Sequence, residues 1–138
     1  TINVILTRDP QDMLPSIVKQ IPNPTMQDVG YAAHLELLNY LNGIGQKPLV
    51  IDSKEVLINP RKKLTEFCEF AGIPFDEAML SWEAGARPED GIWAKHWYHN
   101  VHKSTGFQAY QPKEDPIPEG LEELLEECEQ CYRKLVNG

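Results

Sequence analysis

The stretch from Val4 to Ser16, Val-Ile-Leu-Thr-Arg-Asp-Pro-Gln-Asp-Met-Leu-Pro-Ser, limits the folds open to this chain more than any other part of it. Ile2, Val4, Ile5 and Leu6 form a short apolar run, rich in β-branched residues, of the kind that fills a buried strand. Arg8 follows where such a strand would leave its sheet. Asp9 is then a good N-cap, Pro10 suits the first helical position because its missing N–H is no loss there, and Asp12 stands three residues after the cap as in a capping box. Strand, cation, cap and helix describe a junction at the carboxyl end of a strand, where open α/β sheets bind ligands. A helix N-terminus beside an arginine favours an anion, and phosphate or sulfate is the first expectation.

The chain that follows alternates helix and strand signals. Pro10 to about Gln20 should be helical, with Pro15 removing one backbone bond and kinking it. Ile21-Pro22-Asn23-Pro24 stops that helix, because residues before proline avoid the α region. Thr25 is the N-cap of a second helix running to about Asn42, with Met26, Val29, Ala33, Leu37, Leu38 and Leu41 near helical spacing and Gly43 and Gly45 as its stop. Pro48 to Ile51 reads as a short buried strand leading into Asp52 and Ser53. Two strands separated by helices imply right-handed βαβ connectivity and a parallel sheet. Two strands alone do not make a covered parallel sheet, so either further strands lie outside this sequence or the sheet is very small; the first is expected, from an upstream segment of a longer protein.

Beyond Ser53, Lys54 to Ile58 is a short turn or helix, and Pro60 opens a helix from Arg61 to Ala71 capped by Gly72. Asp76 caps a short helix through Leu80 and Trp82. Gly85 to Gly91 is a polar loop, Trp93 to Val101 an aromatic helix, and Lys103 to Gly106 loop. A linker over 112–118 leads to a last helix, Glu119 to about Val136. Its apolar stripe is Leu121, Leu124, Leu125, Cys128, Cys131, Tyr132 and Leu135, opposite an acidic face. There is no internal repeat or low-complexity segment.

With 138 residues the chain suits one domain. Its net charge of −8 argues against nucleic acid and anionic membrane as general partners. The acidity is local: eight acids and no Lys or Arg lie between Glu114 and Glu129, leaving thirteen of each sign elsewhere. An anion site is therefore compatible with the low pI. No apolar run reaches the roughly 18 to 20 residues of a membrane span, and no leader resembles a signal peptide. Cys68, Cys128 and Cys131, few and odd in number, suit a reducing compartment, and the expected location is cytoplasmic.

Arg8 with Ser16 is the leading candidate site. A guanidinium offers a forked donor to phosphate oxygens, and a hydroxyl about two turns into the helix adds another donor from the same side. The plain alternative is an Arg paired with a neighbouring Asp and a Ser exposed on a helix.

Arg8-Asp9-Pro10-Gln11-Asp12-Met13-Leu14-Pro15-Ser16 resembles the 3′-phosphate-binding segment of PAPS-dependent sulfotransferases, an Arg-x-Pro-x-Asp pattern with Ser eight residues after the Arg. Ile51 to Pro60 resembles that family's Tyr-Glu-Asp-Leu strand end followed by proline, and Leu64 to Phe75 its next helix and Phe-x-Gly-x-Pro turn. The likeness covers roughly Ile2 to Phe107. It implies that Arg8 and Ser16 hold the 3′-phosphate of PAPS (3′-phosphoadenosine 5′-phosphosulfate). The adenine-contacting tyrosine is matched here by Ser53. A later basic loop, Arg-Lys-Gly in the family, corresponds in order to Lys103, Ser104 and Thr105.

The resemblance also implies a fold class: α/β, a P-loop-nucleotide-kinase-like three-layer fold with a parallel sheet, present here only in part and helix-rich. The family's Gly-rich loop for the 5′-phosphosulfate and its catalytic base precede the Arg-bearing strand, and no Gly-x-x-x-x-Gly-Lys-Ser/Thr stands in these residues. Residues 1–138 are thus expected to be the C-terminal portion of one sulfotransferase-like domain, inactive alone, with PAPS as donor and a small-molecule hydroxyl or amine acceptor. The catalytic base is unassigned.

Two other readings compete. The acidic last helix and the aromatic residues Trp82, Trp93, Trp97, Tyr98 and Phe107, expected as core or as cover over the sheet's functional edge, would also serve a non-catalytic protein-interaction module. His96, His99 and His102 with the Cys128-x-x-Cys131 pair would suit a zinc-stabilised module, although the cysteines lie mid-helix on an apolar stripe where core packing explains them better. His34 reads as a structural histidine in the second helix.

Overall fold

The computed structural model describes residues 1–112 and 114–138, with the Trp97 side chain outside the described set. Lys113, within the expected linker, also lies outside it. Two parallel strands, β1 (Val4–Thr7) and β2 (Leu49–Asp52), pair in the register Val4↔Leu49 to Thr7↔Asp52. This is a small α/β arrangement, rich in helix. The strand β1 alternates: Ile5 and Thr7 are buried, whereas Val4 and Leu6 lie on an open face. The uniform apolar run had suggested burial on both sides, but among the described residues helices cover only one.

The helix α1 (Pro10–Ile17) begins as expected, with the Asp9 carboxylate accepting the Gln11 N–H at 3.0 Å. It ends earlier than expected, and turns carry the chain through residues 18–20. Pro15 lies inside it, two residues before its end, where a missing N–H disturbs little beyond one turn. The single helix expected from Thr25 to Asn42 is two: α2 (Met26–Val29) and α3 (Tyr31–Gly43). Gly30 divides them at φ 75°, a left-handed conformation that glycine adopts without penalty and that ends α2.

After β2, α4 (Ser53–Ile58) and α5 (Pro60–Ala71) match the expected helices, each opened by a side-chain cap, Asp52 on Lys54 N–H and Asn59 on Lys62 N–H. The short helix expected after Asp76 is a 3-10 turn, Glu77–Met79. The aromatic helix expected over Trp93 to Val101 is split at Tyr98 into α6 (Ala94–Trp97) and α7 (His99–Lys103). Lys103 therefore ends a helix and is not in a loop. The last helix, α8 (Glu122–Asn137), starts three residues later than expected, after Gly120 at φ 85°.

The core forms where α8 crosses α3, α1 and the covered face of the sheet. Ile5, Tyr31, Leu38, Cys128 and Leu135 are its buried members, with Val50, Leu124 and Tyr132 packed around them. Burying such side chains stabilises by about 1.5 to 3 kcal/mol each. The expected stripe on α8 thus faces the core, and its glutamates at 122, 123, 126 and 127 are exposed. Among the described residues, no helix is long and apolar enough to cross a membrane.

Candidate functional site

Thr7 and Asp52 form the last rung of the parallel pair, so the chain leaves both strands at the same end and sets Arg8 beside Ser53. This is the carboxyl end of the strands, the position expected from the sequence. Both departures are held by side chains. Tyr31, at the start of α3, donates its hydroxyl to the Arg8 carbonyl at 2.6 Å. Tyr132, from α8, donates to Asp52 Oδ2, while Asp52 Oδ1 caps α4 through Lys54 N–H at 2.9 Å.

Three clefts meet at Arg8. One of about 320 Å³ is lined by Arg8, Met13, Ser16 and Ile17. Arg8 and Ser16 therefore share a cavity, and Pro15 does not turn the serine away. A second, about 420 Å³, is lined by Arg8, Asp12, Ser53, Lys54 and Tyr110 among others. A third, about 270 Å³, has Arg8, Tyr31, His34 and Ser53 over the apolar Leu6, Met13 and Val29. His34 is half-buried at this cleft and not in the core.

The Arg8 guanidinium is exposed and, among the described residues, makes no hydrogen bond or ion pair. The plain alternative, pairing with a neighbouring Asp, is not what forms. Asp9 caps α1, and the expected capping-box partner Asp12 is buried and accepts the Tyr110 hydroxyl at 2.8 Å. Burial and this bond push the Tyr110 phenol up to about 12. Lys54 Nζ lies 5.1 Å from the centre of the Tyr110 ring, a cation–π contact that leaves its charge at the cleft.

Lys54 and Tyr110 were missed in the sequence. Lys54 was legible in principle, one residue beyond Ser53 at a strand end. Tyr110 lies 98 positions from Asp12, and no local pattern ties it there. The expected later loop sits differently. Lys103 is exposed at the end of α7, and Ser104 Oγ accepts the Trp82 indole N–H at 2.9 Å while donating to the Val101 carbonyl. Thr105 accepts Trp82 N–H through its carbonyl.

The zinc set is not assembled. His102 binds Asp90 at 2.8 Å, Cys128 is fully buried with Met26 Sδ 3.8 Å away, and among the described residues no three His, Cys, Asp or Glu groups are placed to hold a metal. Trp82 and Phe107 pack edge to face at 5.4 Å, but Trp93 is exposed, against its expected place in the core or cover. Trp97 is the member of that group whose side chain lies outside the described residues.

The clefts present an arginine fork with no hydrogen bond or ion pair among the described residues, a hydroxyl and an ammonium, with an aromatic ring as one wall, a set of donors that suits an anion.

Comparison with known proteins gives the family. Branched-chain-amino-acid aminotransferase-like protein 2 of Arabidopsis thaliana is 38% identical over 131 residues, and branched-chain-amino-acid aminotransferase-like protein 1 of the same plant is 39% identical over 133. Each alignment takes in 95% of this chain and 23% of the relative, so the chain spans under a quarter of their length. No solved structure matches it significantly. The profile of the sulfotransferase domain matches residues 1–136. Because that match runs from β1 through the clefts to the last helix, the chain belongs to the sulfotransferase domain family.

Proposed function

We propose that these residues are the C-terminal, 3′-phosphate-binding part of a P-loop-nucleotide-kinase-like sulfotransferase domain that takes PAPS as donor. The observation that carries the reading is the Arg8 guanidinium, without a hydrogen bond or ion pair among the described residues, sharing clefts with Ser16 on one side and Ser53 and Lys54 on the other. PAPS supplies an activated sulfuryl group to a small-molecule hydroxyl or amine. Transfer of such a group depends on positioning and on neutralising charge at the leaving group, by analogy with phosphoryl transfer. Arg8 forks onto phosphate oxygens, Ser16 donates its hydroxyl, Lys54 adds a point charge, and Ser53 lies toward the adenosine. Lys103, Ser104 and Thr105, which the resemblance offered as a later loop on the same phosphate, line none of the described clefts at Arg8, so Lys54 takes the second cationic role in this reading.

An upstream segment is proposed to supply the 5′-phosphosulfate loop and the catalytic base, and to cover the open Val4 and Leu6 face of β1. These residues alone then bind without turnover. The three free cysteines favour a cytoplasmic setting.

Calorimetry with adenosine 3′,5′-bisphosphate tests the reading. Binding should weaken roughly thirtyfold on Arg8→Ala, the cost of about 2 kcal/mol for a charge-assisted hydrogen bond. Adenosine 5′-monophosphate, which lacks the 3′-phosphate, should bind more weakly than the bisphosphate. Equal affinity for the two nucleotides sinks the assignment, and turnover of PAPS by this chain alone sinks the division of labour.

A further inference from the structure

We infer that Tyr31 is a positioning residue for anion recognition: its hydroxyl, by holding the main-chain carbonyl of Arg8, sets the direction in which the guanidinium leaves the strand end. The inference rests on the anion site proposed at Arg8. Arg8 is one residue beyond the last rung of the ladder, so the sheet no longer dictates its backbone. Its guanidinium has no hydrogen bond or ion pair among the described residues, so the backbone is what aims it. The Tyr31 bond is 2.6 Å long, and the ring that makes it is 4% exposed in the central core.

The tyrosine reaches Arg8 because the left-handed turn at Gly30 starts α3 beside the strand end. Burial raises the phenol above its ordinary value of 10.0, so it remains a proton donor across the physiological range. Core, turn and cation thus form one connected set.

The test compares wild type, Tyr31→Phe and Leu38→Ala in the full chain. Leu38→Ala damages the same core without touching Arg8. Two quantities are read: affinity for adenosine 3′,5′-bisphosphate, and NMR relaxation of the Arg8 backbone and its Nε–H in the free protein. Tyr31→Phe should weaken binding about fivefold, the loss of one net hydrogen bond, and make Arg8 more mobile. Leu38→Ala should lower the melting temperature and leave affinity within about twofold. Unchanged affinity and unchanged Arg8 relaxation in Tyr31→Phe overturn the inference, as does an equal loss of affinity in Leu38→Ala. If wild type does not bind the bisphosphate, the cofactor reading fails, and Arg8 relaxation still decides the role of Tyr31. In wild type itself the Tyr31 hydroxyl proton should exchange slowly and show a contact to Arg8; rapid exchange without that contact overturns the inference even if Tyr31→Phe does not fold.

Discussion

Among the described residues Arg8 makes no ion pair, although Asp9 is its chain neighbour and Asp12 lies in the first turn of the next helix, because each carboxylate has another task. Asp9 caps α1, and Asp12 accepts the Tyr110 hydroxyl. The positions of Arg8 at a strand end and Ser16 on a capped helix were legible from spacing, and the two residues line one cleft. Lys54 was missed although its place beside Ser53 marks it, because a lysine in a short helix reads as solvent-facing until the Tyr110 ring is placed against it. The two candidate lysines can be separated. Lys54→Ala should weaken bisphosphate binding more than Lys103→Ala, since Lys54 shares a cleft with Arg8; calorimetry on both variants checks the order. A second residue-scale expectation concerns Cys128, whose thiol is pushed up to about 11 by burial. At pH 8 only about one part in a thousand is thiolate, so iodoacetamide should modify the half-buried Cys131 well before Cys128. Mass spectrometry of the native protein, with urea-unfolded chain as reference, reads the difference.

Helices ended where local chemistry is strong and broke where only one residue decided. Asn59-Pro60 and Gly72 bound α5 within a residue of the expected limits, because a cap, a proline and a left-handed glycine each act locally. Gly30 gave no comparable signal: a glycine inside a helical pattern is usually tolerated at a cost of about 1 kcal/mol. Here it is a hinge that sends α3 across the strand end. Its ideal Cβ position meets nothing within 4 Å, so a substitution is strained by conformation and not by crowding. Gly30→Ala should therefore destabilise by about 1 to 2 kcal/mol, and Gly30→Asn by less. Urea unfolding of the two variants tests the ranking, and a neutral Gly30→Ala would remove the hinge argument. On α8, Leu135→Ala should cost about 2 to 5 kcal/mol and Glu126→Ala close to nothing, because one fills the core and the other faces water.

Across the whole molecule, three tyrosines from separate segments tie the site to the rest: Tyr31 on Arg8, Tyr110 on Asp12 and Tyr132 on Asp52. Burial raises the pKa of each phenol, and hydrogen bonds to carboxylates add to the rise in Tyr110 and Tyr132. Each group, like Cys128, binds its proton more tightly folded than unfolded. Their contribution is intact below the ordinary values, 9.0 for cysteine and 10.0 for tyrosine, and is lost as pH rises through about 11 for Cys128 and about 12 for Tyr110. Stability should thus fall above pH 9, with tyrosinate absorbance at 295 nm rising as helical circular dichroism is lost. Tyrosinate forming fully before any loss of helix would contradict the three hydrogen-bonded hydroxyls.

Local patterns by themselves determined the strand-to-helix junction, the caps, the buried stripe of α8 and the placement of Arg8 at a strand end, because each depends on neighbours within about eight residues; the parallel pair, 45 positions apart, followed from the order of strands and helices. Only the tertiary structure decided that β1 buries one face, that Gly30 bends the second helix into two, and that Tyr31, Tyr110 and Tyr132 converge on the strand ends. These contacts join residues 23, 98 and 80 positions apart, and no period of 2 or 3.6 residues carries such information.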